Sequence, residues 1–102
     1  MPKFVAIGKT SEIPDQGAKC VEVEGRKIAV FNLGGAFYAI DDDCPHEQGP
    51  LSDGNIDGEE VECPWHGSRF SLRTGKVTMD PAEEDVRSYP VRVTGDSVEV
   101  AV

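Results

Sequence analysis

The sequence predicts an all-β domain in which short strands form a framework and loops carry the functional residues. Turn signals rich in Gly, Pro and Asp recur along the whole chain. The apolar runs between these turns are short and rich in Val, Ile and Phe, which is typical of closely spaced strands. At 102 residues the chain has the length of one domain.

Each predicted strand follows one apolar run. Alternation is clearest in residues 18–24, where Val21 and Val23 point to the face opposite Glu22. Gly25-Arg26, Gly34-Gly35 and Thr94-Gly95-Asp96 are predicted to turn the chain between neighbouring strands. The predicted strands are residues 4–8, 18–24, 27–32, 36–40, 59–62, 69–72, 86–93 and 97–102.

The middle of the chain differs from the two ends, because it is rich in Gly, Pro and Asp. Ligand residues usually lie on loops that a rigid scaffold holds in place. The sequence therefore predicts one domain with two parts. The base comprises about residues 1–42 and 82–102, and a ligand-holding part comprises about residues 43–81.

Two short blocks inside this middle part contain nearly all the metal-binding chemistry. They are Cys44-Pro45-His46 and Cys63-Pro64-Trp65-His66, and each offers one thiolate and one imidazole. Both histidines of the chain and two of its three cysteines lie in these blocks. Such pairing predicts a metal centre held by Cys44, His46, Cys63 and His66.

Two metal centres suit this set of ligands. Two cysteines and two histidines could bind one zinc ion tetrahedrally, although the spacing of Cys44 and His46 is tighter than zinc sites usually show. They could instead hold one [2Fe–2S] cluster in which histidines replace two of the cysteines. Cys44 and Cys63 would then bind one iron, and His46 and His66 the other.

The pattern resembles the Rieske iron–sulfur proteins, and most closely the small, soluble ferredoxins that feed electrons to non-haem iron (ring-hydroxylating) oxygenases. The resemblance includes Gly49-Pro50-Leu51, Gly67-Ser68-Arg69-Phe70, Thr74-Gly75 and Tyr89-Pro90-Val91, and covers nearly the whole chain. It implies a Rieske-type antiparallel β-sandwich with a cluster-binding loop subdomain. It also implies one [2Fe–2S] cluster whose histidine ligands lie near the surface.

The same resemblance points to residues around the cluster. High-potential relatives carry a disulfide where this chain has Gly49 and Trp65, and a serine and a tyrosine hydroxyl where it has Ser68 and Phe70. Without the disulfide and the tyrosine, a potential near the low end of the Rieske range is expected. Pro64 is expected to stiffen the loop, Trp65 to cover the cluster, and Gly67 to allow a tight turn.

Charge is distributed unevenly along the chain, whose net charge is −9. No Lys or Arg lies between Ile28 and Ser68, a stretch that contains both ligand blocks. This sign of charge argues against nucleic-acid binding. The acids could steer basic partners, or they could simply form a solvated surface. They are Asp41, Asp42, Asp43, Glu47, Asp53, Asp57, Glu59, Glu60 and Glu62.

No apolar run approaches 18 residues, and the N-terminus does not resemble a signal peptide. A cytoplasmic protein is therefore expected. The remaining cysteine, Cys20, lies in a predicted strand, and we expect it to be a small buried apolar residue.

The function expected from these features is electron transfer without catalysis. The carrier would accept one electron from a flavin-dependent reductase and pass it to a terminal oxygenase through transient contacts. Because both histidines are used by the cluster, none is left for a mononuclear iron site. The alternatives are the small Rieske-like subunit of assimilatory nitrite reductase and a structural zinc-binding module that mediates protein contacts.

Overall fold

The computed structural model describes residues 3–42, 50–64, 67–79 and 85–101. Within these ranges it contains eleven β-strands and two 3-10 turns, at Thr10–Glu12 and Leu51–Asp53. The strands are β1 (Phe4–Lys9), β2 (Ala18–Val23), β3 (Arg26–Leu33), β4 (Ala36–Asp41), β5 (Asn55–Asp57), β6 (Glu60–Glu62), β7 (Arg69–Ser71), β8 (Val77–Met79), β9 (Ser88–Tyr89), β10 (Val91–Thr94) and β11 (Ser97–Ala101).

These strands form three antiparallel sheets. The first has the order β1-β11-β10, the second β2-β3-β4-β9, and the third β5-β6-β7-β8. Strands from both ends of the chain form the first two sheets, whereas the third uses only residues between Asn55 and Met79. The predicted all-β class is therefore confirmed.

Strand β3 lies at the centre of the molecule and contributes to two hydrophobic cores. Because successive side chains of a strand point to opposite faces, Ile28 and Val30 enter one core while Ala29 and Phe31 enter the other. Burial on both faces explains why residues 28–31 are a continuous apolar run rather than an alternating one.

The two cores hold different parts of the molecule together. The first, called the base core, packs the second sheet against the first sheet. It contains Ile13, Val23, Ile28, Val30, Ala39, Tyr89, Val98 and Val100. The site core packs the opposite face of the second sheet against the middle of the chain. It contains Ala29, Phe31, Ile40, Leu51, Val61, Cys63, Phe70, Leu72 and Val86.

Several strand boundaries differ from the sequence-based expectation. The single strand predicted over residues 86–93 is wrong, since the chain forms β9 and β10 on either side of Pro90. Strand β9 pairs with β4, whereas β10 pairs with β11, so the chain crosses here from the second sheet to the first. Strands β5 and β8, of three residues each, were not predicted.

The predicted limits of the two parts, near residues 43 and 81, lie outside the described residues, and this division stays a prediction. Among the residues that the structure describes, no helix is long and apolar enough to cross a membrane.

Candidate metal centre

The second ligand block begins where β6 ends, and its loop is closed by backbone hydrogen bonds. The Cys63 N–H donates to the carbonyl oxygen of Ser68 at 2.7 Å, and the Gly67 N–H donates to that of Cys63 at 3.1 Å. Gly67 has φ 77°, a left-handed conformation that glycine adopts without steric cost. The turn that was expected at Gly67 is thus present between β6 and β7.

The side chain of Cys63 points into the site core. Its residue is 1% exposed, and its neighbours there include Leu51, Val61 and Phe70. Ser68 and Phe70, which belong to the same hairpin, are fully buried as well. This dry, apolar setting shields the Cys63 sulfur from reaction with solvent.

The first ligand block is flanked by residues that tie its two ends together. The carbonyl oxygen of Asp42 accepts a hydrogen bond from the Leu51 N–H at 2.6 Å. The Asp42 carboxylate accepts another from the Ser52 N–H at 2.8 Å. Asp42 is 3% exposed, and Leu51 is fully buried in the site core. Residues 42 and 51 therefore lie side by side at the base of the first loop.

Gly54 brings the bases of the two loops together. A Cβ built on this glycine would overlap the carbonyl oxygen of Glu62 and crowd a methyl group of Val61. Because Gly54 has an ordinary φ of −77°, the missing side chain matters for space rather than for backbone conformation. The 3-10 turn that follows the first loop thus packs, through Gly54, directly against the residue that precedes Cys63.

The predicted site residues fall into two groups. Cys63, Pro64, Gly67, Ser68 and Phe70 lie in the described hairpin, with Pro64 exposed and the side chains of Cys63, Ser68 and Phe70 buried. The others lie outside the described residues: Cys44, His46, Gly49, Trp65 and His66. Within the described ranges no group of three or more His, Cys, Asp or Glu side chains could hold a metal ion.

The expectation for Cys20 is wrong. Cys20 is exposed on β2, the outer strand of its sheet, and its thiol donates a hydrogen bond to the Asp42 carboxylate at 3.3 Å. An outer strand has no neighbour on one side, so a small residue there can stay near water. Sequence reasoning counted Asp42 only among the acids and missed its contacts at the loop, although an aspartate beside a loop often accepts backbone hydrogen bonds.

The acidic character of this region is partly balanced in three dimensions. Arg69, the first basic residue after the ligand blocks, lies among Asp57 at 2.9 Å, Glu60 at 3.4 Å and Glu62 at 3.7 Å. The hydrogen bond with Asp57 raises the pKa of Arg69 above its ordinary value. A separate ion pair joins Arg73 to Glu59. Strands β5 to β7 therefore present a mixed surface rather than a purely negative one.

Asp41, the residue before Asp42, contacts the chain segment that leads into β9. Asp41 accepts hydrogen bonds from the Tyr89 hydroxyl at 2.5 Å and from the Arg87 N–H at 3.1 Å. Burial, and then the hydrogen bond to Asp41, raise the pKa of Tyr89, while Arg26 opposes this shift. Two adjacent carboxylates therefore fix the chain where it leaves β4 and where it returns as β9.

Residues 3–90 match the family model of the Rieske [2Fe–2S] domain. This chain belongs to the Rieske family. It is 37% identical over 96 residues to the ferredoxin component of a naphthalene 1,2-dioxygenase system from Pseudomonas aeruginosa, a match that covers 94% of this chain and 92% of the relative.

Solved structures of Rieske ferredoxins have the same fold. The ferredoxin of carbazole 1,9a-dioxygenase from Nocardioides aromaticivorans IC177 superposes with a TM-score of 0.91 at 33% identity, over 99% of this chain and 97% of that one. A chain from a complex of reduced oxygenase and oxidised ferredoxin of carbazole 1,9a-dioxygenase gives a TM-score of 0.90 at 31% identity, over 96% and 92% of the two chains.

These comparisons confirm the Rieske ferredoxin prediction and the role of an electron carrier rather than a catalytic subunit. The described residues also fit a [2Fe–2S] group. Cys63 supplies a buried thiol, and Gly54 lets the bases of both ligand loops meet. The two blocks of the sequence also contain two cysteines and two histidines, the residue types that such a cluster can use.

Proposed function

We propose that this Rieske ferredoxin carries single electrons from a flavin-dependent reductase to a terminal non-haem iron oxygenase. Its [2Fe–2S] cluster would be held by Cys44 and Cys63 on one iron and by His46 and His66 on the other. The observation that carries the proposal is the meeting of the two loop bases at Gly54, beside the buried Cys63. When bound, the cluster would supply reversible one-electron chemistry.

The chain's own residues would keep the electron-accepting centre dry on one side. Cys63 lies in the site core with Leu51 and Phe70, which excludes water from the cysteine side. Replacing two thiolates by neutral imidazoles also makes the centre less negative than a four-cysteine cluster, so it is easier to reduce.

Metal analysis of single variants tests the ligand assignment. Protein from native cells should contain two irons and two labile sulfides per chain, the content of a [2Fe–2S] centre. Cys44→Ser and Cys63→Ser should lose the cluster, whereas Cys20→Ser should keep it and serves as the matched control. If His66→Cys still assembles a cluster, its midpoint potential should fall. Stoichiometric zinc instead of iron would refute the proposal and favour the structural alternative.

We also propose a midpoint potential near about −150 mV, the low end of the Rieske range. Phe70 lies fully buried in the second-loop hairpin and has no hydroxyl with which to donate a hydrogen bond to the cluster. Phe70→Tyr should raise the potential modestly if its hydroxyl reaches a cluster sulfur. Protein-film voltammetry measures both values, and a wild-type potential above about +100 mV would contradict this interpretation.

Partner docking is proposed to be transient and centred on the surface around His46 and His66. A solved ferredoxin of this fold forms a complex with its oxygenase, which supports an oxygenase as one partner. The acids of strands β5 and β6, of which Asp57 is exposed and Glu60 and Glu62 are half-buried, would attract basic residues on either partner. A cytoplasmic location suits such a shuttle and stays a prediction.

The balancing role of Arg69 allows a two-sided test of this steering. Glu62→Lys should slow reduction by the reductase at low salt, whereas Arg69→Gln should accelerate it, because that change uncovers Asp57 and Glu60. Asp96→Lys, on the turn between β10 and β11, is the control for net charge. If stopped-flow rates change neither with salt nor with these substitutions, the acids form only a solvated surface and do not steer the partners.

A further inference from the structure

We propose that Asp42 is a positioning residue for the first ligand loop, and that the Cys20 thiol orients its carboxylate. This inference rests on the proposed function, because it assumes that Cys44 and His46 bind the cluster. It assigns to two residues outside the ligand blocks a role in setting the geometry of that cluster.

Asp42 closes the first loop by two different groups. Its carbonyl oxygen accepts the Leu51 N–H, and one carboxylate oxygen accepts the Ser52 N–H. Both partners lie just after the loop, and Asp42 lies just before it, so these two contacts fix the separation of the loop ends. The Asp42 N–H donates to the Lys27 carbonyl oxygen at 3.0 Å, and this hydrogen bond joins Asp42 to β3.

Cys20 completes the arrangement from the neighbouring strand. Its thiol donates to the second carboxylate oxygen of Asp42, so each oxygen of the carboxylate has a donor from a different part of the chain. Asp42 is 3% exposed, and a buried carboxylate requires such donors. Rotation of the carboxylate would break both hydrogen bonds together, and this fixes its plane.

Asp42 lies two residues before Cys44, so its replacement would change the position of a proposed cluster ligand. Groups that orient metal ligands commonly change metal affinity by about 10- to 100-fold when they are replaced. Among the described residues, the second loop is closed by two backbone hydrogen bonds, which join Cys63 to Ser68 and Gly67 to Cys63. Loss of Asp42 should therefore disturb one pair of ligands and spare the other.

Four substitutions separate geometry from charge. Asp42→Ala removes both carboxylate oxygens, whereas Asp42→Asn keeps one side-chain oxygen for the Ser52 N–H. Cys20→Ala removes the donor, whereas Cys20→Ser keeps a hydroxyl in its place. Asp53→Asn is the matched control, because it removes the same charge from an exposed residue of the 3-10 turn that follows the loop.

Three measurements on the holoprotein follow the effect. Cluster release into a chelator should be about tenfold faster or more in Asp42→Ala. The lines in the EPR spectrum of the reduced protein should also broaden. Hydrogen exchange, followed by mass spectrometry, should increase in peptides covering residues 42–54 and not in those covering 62–70. Asp42→Asn and Cys20→Ala should give intermediate effects, and Cys20→Ser should resemble wild type.

Each outcome has a distinct meaning. If Asp42→Ala matches Asp53→Asn in release rate, EPR spectrum and exchange, Asp42 has no positioning role. If Cys20→Ala and Cys20→Ser are indistinguishable from wild type, the thiol does not orient the carboxylate. A wild-type protein without a [2Fe–2S] cluster would instead refute the proposed function, while the exchange of residues 42–54 would still test the role of Asp42.

Discussion

The two ligand loops are closed in different ways. The second loop, from Cys63 to Ser68, closes through hydrogen bonds within its own backbone between paired strands. The first loop has one backbone hydrogen bond, from Leu51 to Asp42, and adds to it the buried carboxylate of Asp42 and Leu51 packed into the site core. A hairpin can thus fix one pair of ligands locally, whereas the other pair depends on contacts between distant parts of the chain.

Leu51→Ala should have the largest effect on this difference. Truncating a fully buried leucine costs about 2–5 kcal/mol of the free energy of unfolding, through lost burial and the cavity left behind. Leu72→Ala is the matched control, because Leu72 is 1% exposed in the same core but lies outside both loops.

Thermal unfolding should show similar losses for the two variants, but only Leu51→Ala should increase hydrogen exchange in residues 42–54. Equal exchange in both variants would mean that Leu51 supports the core in general and not the first loop.

Gly54→Ala should break the contact between the loops. The added methyl group would overlap the Glu62 carbonyl oxygen, and such crowding typically costs about 1–3 kcal/mol. Cluster release into a chelator should become faster as well. Gly58→Ala, in the turn between β5 and β6, has open space around its Cβ and a φ of 62°, so it reports backbone strain alone.

A release rate for Gly54→Ala no faster than that for Gly58→Ala would show that the two loops tolerate a wider separation.

Gly67→Ala tests the closure of the second loop. An alanine at φ 77° costs about 1–2 kcal/mol, because its Cβ approaches the neighbouring carbonyl oxygen. The thermal midpoint should fall, and exchange should increase in residues 62–70 while residues 42–54 stay protected. Increased exchange in both loops would contradict the view that they are held independently.

Tyr89 should give the smallest effect, and one confined to alkaline pH. Its pKa is raised in the folded protein above the ordinary value near 10, by burial and by its hydrogen bond to Asp41. Because the folded pKa exceeds the unfolded one, the stabilisation is complete below about pH 10 and disappears as the pH rises through the folded pKa.

Thermal midpoints measured from pH 8 to pH 12 should therefore fall less steeply for Tyr89→Phe than for wild type. Tyr38→Phe, which removes the other tyrosine hydroxyl, should follow the wild-type curve. If Tyr89→Phe also follows the wild-type curve, Tyr89 does not contribute to this loss of stability.

The sequence by itself determined the all-β class, the Rieske ligand blocks and the turn at Gly67. These features depend on local chemistry: the spacing of Cys and His, and a short hairpin whose hydrogen bonds join near neighbours. The ligand assignment and the two-part division were predicted from the same pattern and stay predictions, because most of those residues lie outside the described ranges.

Only the tertiary structure decided how Asp42, Cys20, Gly54 and Arg69 act. Each of them works through a partner distant in sequence: Cys20 reaches Asp42, Gly54 meets Glu62, and Arg69 moderates the acids of β5 and β6. The sequence shows the charge and size of such residues but not what faces them. Their roles depend on strand pairing and core packing, because these bring together segments that are far apart along the chain.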